Sequence, residues 1–387
     1  MVASFRTWRE GLPWWVDKLV FLIGLLLVIW FPTTVSASGD AMNTATLALA
    51  YVVMALGLNI VVGFAGLLDL GYLAFYAIGA YCVGWFGSSF YAQNNFHFLA
   101  TKFANLLPGI HLWWPVIVLI AIVLCAIAGV LIGLPTLRLR GDYIAIVTLG
   151  FGEIIRVFAL NGDAIHIFGH QLTNGRQGIT ATDAIGFPGH QPFSQLDLRP
   201  WYWVALGMVL ITLYVNFRVR DSRLGRAWIA IREDEVAASA MGVPLVRTKL
   251  MAYASGAALG GMAGAFLGSY LTNVTSDSFQ FSFSILILAM VILGGLGSIW
   301  GVVLGAIALT YINYELLPNQ LNDLPGKFGL GFQLTDVQIA IYGALLVIIM
   351  VLRPQGLLPE RRHKMELAEG IGAGDAMAAE GIIEEPV

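Results

Sequence analysis

The sequence predicts an all-α polytopic membrane protein with about ten transmembrane helices and both termini cytoplasmic, and three observations carry that expectation. Hydrophobic residues fill 58% of the 387 positions and charged residues only 12%, against about 25% charged in an ordinary soluble domain. Uncharged runs long enough for a bilayer core of about 30 Å, which needs roughly 20 residues of helix, recur along the chain. Basic residues gather in short segments between those runs.

In chain order, a cytoplasmic N-terminal segment (1–18) leads into the runs Leu19–Gly39, Ala41–Leu68, Leu70–Phe96 and Leu112–Leu137, then Tyr143–Leu160, Trp201–Phe217 and Leu250–Ser276. The uncharged run Phe279–Tyr314 is too long for one crossing and is expected to fold back at Gly294-Gly295-Leu296-Gly297 into two short helices. Val337–Leu352 completes a transmembrane domain over 19–352, helical because a helix is the open-ended element whose backbone is satisfied inside lipid. Arg6, Arg9 and Lys18 before Leu19–Phe31, with Val35-Ser36-Ala37 after it, fit a signal peptide as well as a first span. The tail 353–387 is acidic and Ala/Gly-rich after Lys364 and has no strong apolar period, the composition of a disordered cytoplasmic segment.

The net charge of −3 singles out no partner, nucleic acid included; the placement of charge says more. Between the uncharged runs Pro200–Phe217 and Leu250–Ser276 lies a charged island, Arg218–Lys249, that holds seven of the 21 Lys and Arg residues. If the island is cytoplasmic, alternation puts the N-terminal basic residues, Arg138 and Arg140, and Arg353, Arg361, Arg362 and Lys364 on the same side, sixteen of the 21 in all. The positive-inside rule favours that orientation. Outside are then Ala92–His111, an extracytoplasmic loop (161–200), Asn273–Phe279 and Glu315–Asp336. With its charge, its Ala-rich stretch (Ala237, Ala238, Ala240) and its helix-stopping Gly242-Val243-Pro244, the island exceeds what a connection between spans needs and points to contact with another protein.

Reactive chemistry is scarce. Cys82 and Cys125 both fall in predicted spans, so no disulfide framework or thiolate metal set is expected. His166 and His170 have the spacing of two helical metal ligands, but Gly169 intervenes and no acid adjoins them, which reads as a polar loop. There is no G-x-x-x-x-G-K-[ST] phosphate loop and no G-x-S-x-G nucleophile elbow. The chain is therefore expected to be no enzyme, to hold no metal or cofactor, and to leave any ATP hydrolysis to other subunits.

Glycine is more informative. Gly256, Gly260, Gly264 and Gly268 recur every four residues along one span, and Gly297, Gly301 and Gly305 repeat the device, a smooth helix ridge that another backbone can approach closely. Internal helix packing and an interface with a second subunit are both open. The Gly57–Gly71 and Gly294–Gly301 stretches break the spans at comparable places in the two halves, either a substrate path at a repeat interface or a pair of tight turns.

Few ionisable groups lie in the apolar segments. Glu153 and Arg156 sit three apart in one, where a charge at the bilayer centre costs about 2.5–3.5 kcal/mol, so they should face each other or a wet interior. A path lining and a purely structural i, i+3 pair both fit. Asn59 offers a hydrogen bond to a neighbouring helix or to a solute, and Asp69, beside a turn, reads as solvated.

Four ordered segments carry a resemblance. They are 56–66 (LGLNIVVGFAG), 137–143 (LRLRGDY) with 148–156 (TLGFGEIIR), 225–235 (GRAWIAIREDE) and 353–357 (RPQGL). Spread over roughly residues 40 to 358, they resemble the LivM-type permeases of branched-chain amino-acid ABC importers. The resemblance implies a multi-pass permease of a prokaryotic inner membrane, paired with a homologous LivH-type permease, two cytoplasmic ATPases and an extracytoplasmic solute-binding protein. It also implies that 218–249 is a coupling loop, in which a short helix over Ile231–Gly242 docks on an ATPase through Ile231, Glu235, Ala237, Ala238 and Gly242. The usual motif has acid, Ala, Ala consecutively, which Glu235-Val236-Ala237-Ala238 does not. Asn59, Glu153 and Arg156 are then candidates for the substrate path. An importer of urea or short amides has the same architecture, and an ion-coupled secondary transporter using Glu153 is the alternative of another class.

Overall fold

The structure, a computed structural model, describes residues 15–136, 142–167, 169–322, 337–352 and 356–358. Arg6, Arg9, Arg138, Arg140, Arg353 and most of the tail lie outside the described residues.

Among the described residues, ten helices follow the apolar segments in order. They are α1 (Trp15–Thr34), α2 (Asp40–Leu58), α3 (Leu73–Phe86), α4 (Trp114–Thr136), α5 (Asp142–Leu160), α6 (Arg199–Arg220), α9 (Leu245–Tyr270), α10 (Phe281–Gly294), α11 (Ile299–Tyr311) and α12 (Gln338–Leu352). Two further helices, α7 (Arg223–Glu233) and α8 (Glu235–Ala240), occupy the charged island. Helices α2 and α11 run on as π-helical turns, Asn59–Phe64 and Ile312–Leu321. Among the described residues, six helical stretches are long and apolar enough to cross a membrane: Asp40–Phe64, Trp114–Thr136, Tyr143–Leu160, Arg199–Arg220, Leu245–Tyr270 and Ile299–Asn319. Leu73–Phe86 and Phe281–Gly294 are shorter apolar helices.

The sequence expectation of helix alone needs correction outside the spans. The run Leu70–Phe96 is helical only to Phe86, because Ser88 turns its hydroxyl back to the Gly84 carbonyl and the chain leaves as strand β1 (Gly87–Ser88). Strand β1 pairs antiparallel with β3 (Ile110–Leu112), which pairs parallel with β2 (Phe96–Phe98). Strands β4 (His166–Ile167) and β5 (His170–Gln171) make a small hairpin, and β6 (Ile179–Thr180) pairs with β7 (Asn273–Val274). These strands of two or three residues supply backbone partners where loops leave the helices, and buried His111 adds a 2.7 Å hydrogen bond from Nδ1 to Asp183.

The core lies on α2 and α9. The apolar window of α2 is 94% buried and that of α9 is 72% buried, whereas those of α4 and α5 are 33% and 22% buried. The glycine ridge makes the close approach possible. A Cβ on Gly256 would stand 2.9 Å from the Gly57 carbonyl of α2, and one on Gly264 would stand 2.3 Å from the Tyr76 carbonyl of α3. Gly260 lies against the Tyr72 ring and Gly268 against Ala80. All four glycines are buried, so this ridge offers no free face to a second subunit. Gly301 and Gly305 of α11 lie likewise against Gly294 and Met290 of α10. The fold-back sits at 295–298, where Gly295 (φ +115°) and Gly297 (φ +83°) take a backbone that L side chains rarely adopt.

Candidate functional site

The charged island is a folded platform. Ser222 starts α7 by accepting from the backbone N–H groups of Leu224 and Gly225, both at 3.2 Å. The buried Trp228 indole donates to the Thr248 carbonyl at 2.8 Å and fastens α7 to the first turns of α9. The helix expected over Ile231–Gly242 is broken at Asp234, whose extended backbone (φ −152°) ends α7. Its carboxylate then caps α8, accepting from Val236 N at 2.8 Å and Ala237 N at 3.0 Å. At the other end Gly242 (φ +84°) closes α8: its N–H donates to the Ser239 carbonyl and that of Val243 to the Ala238 carbonyl, two otherwise orphaned acceptors.

This geometry sorts the sequence candidates. Ala237 is exposed, together with Val236 (69%) and Met241 (86%). Ala238 (4% exposed) and Ile231 (6%) point inward, so neither can be a direct docking contact in this conformation. Glu235 is half-buried in a 2.7 Å ion pair with Lys249, whose side chain is 4% exposed. Val236 and Met241 escape a motif-based reading because apolar residues inside a polar island carry no chemistry of their own. The signal that could have revealed the break is Asp234 itself, an N-capping residue type ahead of an Ala-rich stretch.

The two glycine-broken segments meet beside this platform. Asn59, fully buried, accepts from the backbone N–H of Gly297 at 3.0 Å through Oδ1, while its Nδ2 has no partner among the described residues. Four residues on, the Gly63 carbonyl accepts from Arg232 Nη1 at 2.5 Å. A Cβ on Gly63 would stand 2.6 Å from Gly297 N, so glycine lets the π-helical turn, the fold-back and α7 converge. Asn59 is thus a helix-to-turn bridge, placed at the end of the spans next to the charged island.

Asp69 corrects a sequence expectation. It is 2% exposed rather than solvated, in the turn between Phe64 and Leu73, and its Oδ1 accepts from Gly71 N at 2.8 Å. Burial raises its carboxyl from 3.8 to about 6. Glycine at 71 is needed because a Cβ there would lie 2.0 Å from the Thr148 carbonyl of α5.

Glu153 and Arg156 do face each other, with Arg156 Nε donating to Glu153 Oε2 at 2.9 Å. Their side chains are 40% and 30% exposed, on the least buried of the long helices. His166 and His170 lie on the β4–β5 hairpin, and no group of three or more His, Cys, Asp or Glu able to hold a metal occurs among the described residues. Cys82 and Cys125 are buried free thiols.

Comparisons with known proteins agree with one another. The family model for the branched-chain amino acid transport system permease component matches residues 41–350. The high-affinity branched-chain amino acid transport system permease protein LivM of Escherichia coli (strain K12) is 37% identical over 382 residues, covering 93% of this chain and 79% of its own length. The probable LivM permease protein of Methanocaldococcus jannaschii is 25% identical, over 80% of this chain and 91% of its own. The LivH permease protein of E. coli K12 is 23% identical, over 82% and 93%. No solved structure matches. The chain belongs to the permease family of branched-chain amino acid transport systems, and within it is of the LivM type.

Proposed function

We propose that this protein is the LivM-type permease subunit of an inner-membrane ABC importer for branched-chain amino acids, crossing the membrane ten times with both termini inside. It pairs with a LivH-type permease, receives solute from an extracytoplasmic binding protein and is driven by two cytoplasmic ATPases. One observation carries the mechanical part of this reading: α8 exposes Val236 and Ala237, and Met241 just after it is exposed too, while α7 and α8 are wired to the spans through Trp228, Arg232 and Glu235. A soluble ATPase that grips the exposed side of α8 moves those three anchors with it. Arg232 then carries the displacement to the π-helical turn after α2, and Asn59 passes it to the fold-back between α10 and α11. A π-helical turn suits that position, since its spacing differs from that of the α-helix it extends.

The solute path on this chain runs along α5. Glu153 lies two residues from the middle of that helix, about 3 Å along its axis, and the rest of the chain leaves its side chain 40% exposed. Lipid is a poor neighbour for a half-exposed ion pair at that depth. Water in a path, or the second permease across it, is a good one. The reading is tested by cysteine cross-linking in the assembled importer. Met241→Cys and Val236→Cys are expected to cross-link to the ATPase subunit and Ala238→Cys not to. Full uptake by a Met241→Asp, Val236→Asp double variant would overturn the docking assignment.

A further inference from the structure

A groove of about 560 Å³ lies between α4 and the first turns of α9, lined by Val130, Leu250, Met251 and Ala254 together with Arg247 of the charged island. We propose that it binds an anionic phospholipid, one acyl chain along the apolar wall and the headgroup phosphate on Arg247. This goes beyond the transport reading and needs no part of it except that the chain spans a bilayer.

Three observations commit the groove to that occupant. The first is depth. Ala254 is four residues past Leu250, where the apolar run of α9 begins, about 6 Å along the axis, and Val130 is six residues before the end of α4, about 9 Å. A soluble subunit gripping the island does not reach that far into the hydrocarbon. The second is continuity with a lipid-suited surface. The exposed large side chains of α4 are Leu119, Val123, Leu124, Ile127, Leu131 and Leu134, all aliphatic, whereas α5 exposes an ion pair. Val130 belongs to that aliphatic wall.

The third is charge. Of the other six cations of the island, Arg220 pairs with Asp221, Arg226 donates to the Asp221 carbonyl, Arg232 to the Gly63 carbonyl and Lys249 to Glu235, and Arg218 lies over the Tyr214 ring; Arg223, like Arg247, is exposed and unpaired among the described residues, but Arg223 does not line the groove. Arg247 is exposed and has no ion-pair or hydrogen-bond partner among the described residues. A guanidinium at the water–hydrocarbon boundary above an apolar groove matches the phosphodiester of a lipid, which it can hold by two parallel hydrogen bonds. A zwitterionic lipid presents the same phosphate but neutralises it with its own ammonium, so an anionic headgroup is favoured.

The test is native mass spectrometry of the detergent-purified importer complex, titrated with palmitoyl-oleoyl phosphatidylglycerol or with the phosphatidylcholine of the same chains. The wild type is expected to retain the anionic lipid about tenfold better, and Arg247→Gln to bring the two within about twofold while complex assembly is unchanged. Arg247→Lys should keep part of the preference, and Ala254→Trp, which fills the groove, should lower retention of both lipids. If Ala254→Trp fails to assemble, the Arg247→Gln comparison alone decides. Equal retention of the two lipids by the wild type, or an anionic preference undiminished in Arg247→Gln, would overturn the proposal. So would displacement of the lipid by millimolar inorganic phosphate, or a cross-link from Met251→Cys to the second permease in place of lipid.

Discussion

Arg232 Nη1 donates to the Gly63 carbonyl across 169 residues of sequence, from the last turn of α7 to the π-helical turn that ends α2. The bond ties the folded part of the charged island to the most buried span of the protein. A hydrogen bond from a charged donor is worth about 1.5–3 kcal/mol, and each 1.4 kcal/mol is tenfold in an equilibrium. Arg232→Gln is therefore expected to reduce uptake about tenfold or more while the ATPase still co-purifies and hydrolyses ATP. Measuring uptake and hydrolysis on the same preparation checks this, since loss of both together would point to failed assembly.

Glu235 and Lys249 form the second anchor, and their burial is unequal. Lys249 is 4% exposed and Glu235 37%, so removing the acid strands a buried ammonium, while removing the lysine leaves a carboxylate that water can reach. Glu235→Ala is expected to cost about 2 kcal/mol, below the 3–5 kcal/mol of a fully buried pair because solvent screens the exposed side. Lys249→Met should cost less, and adding it to Glu235→Ala should recover part of the loss. Thermal unfolding of the purified subunit through this double-mutant cycle gives the coupling.

The glycine ridge supplies a steric prediction with its own control. Gly264→Val places side-chain atoms where the Tyr76 carbonyl already stands, 2.3 Å from the Cβ position, and should prevent stable folding; Gly264→Ala should cost about 1–3 kcal/mol. Gly207→Ala on α6, whose Cβ would meet nothing within 4 Å, should be neutral or stabilising by up to about 1 kcal/mol. Size-exclusion profiles of detergent extracts separate the three.

Asp69 makes stability depend on pH. Its folded-state value of about 6 lies above the ordinary 3.8, so the fold binds the proton more tightly than the unfolded chain does. Ionisation in the fold is then unfavourable, and this group lowers stability as pH rises from about 4 through 6, with no further change above that. Asp69→Asn keeps an acceptor for Gly71 N and carries no charge. Its melting temperature should exceed that of the wild type at pH 7.5 and approach it at pH 4.

Much of the fold was legible because one physical requirement dominates it. Uncharged length locates the helices, and the Gly294–Gly297 fold-back was readable because a 36-residue apolar run cannot cross once and four residues in it suit a turn. The ends of the spans were less legible. The run Leu70–Phe96 stays uncharged past Phe86, and only the cap by Ser88 and the pairing with Ile110 and His111 divert it into a strand. For the site, the island and its helix-stopping Gly242 were readable, but which side of α8 faces outward was not. A six-residue helix has too little periodicity to reveal that Ala238 is inside and Met241 outside. The contacts of Asn59 and Arg232 join residues far apart in the chain and left no local signal.

In the function proposed above, this chain is a gate moved by ATPases bound to its charged island. The most direct measurement is uptake of labelled leucine into liposomes holding the complete importer, with ATP enclosed, compared with liposomes that lack the ATPases and with the Gly242→Asp variant. Gly242 holds φ +84°, so aspartate there strains the end of α8 by about 1–2 kcal/mol and adds charge at the docking surface. The expected result is ATP-dependent accumulation that disappears without the ATPases and falls sharply in the variant, while the binding protein still holds its ligand. Accumulation by this chain without any ATPase, persisting until an ion gradient is collapsed, would contradict the account.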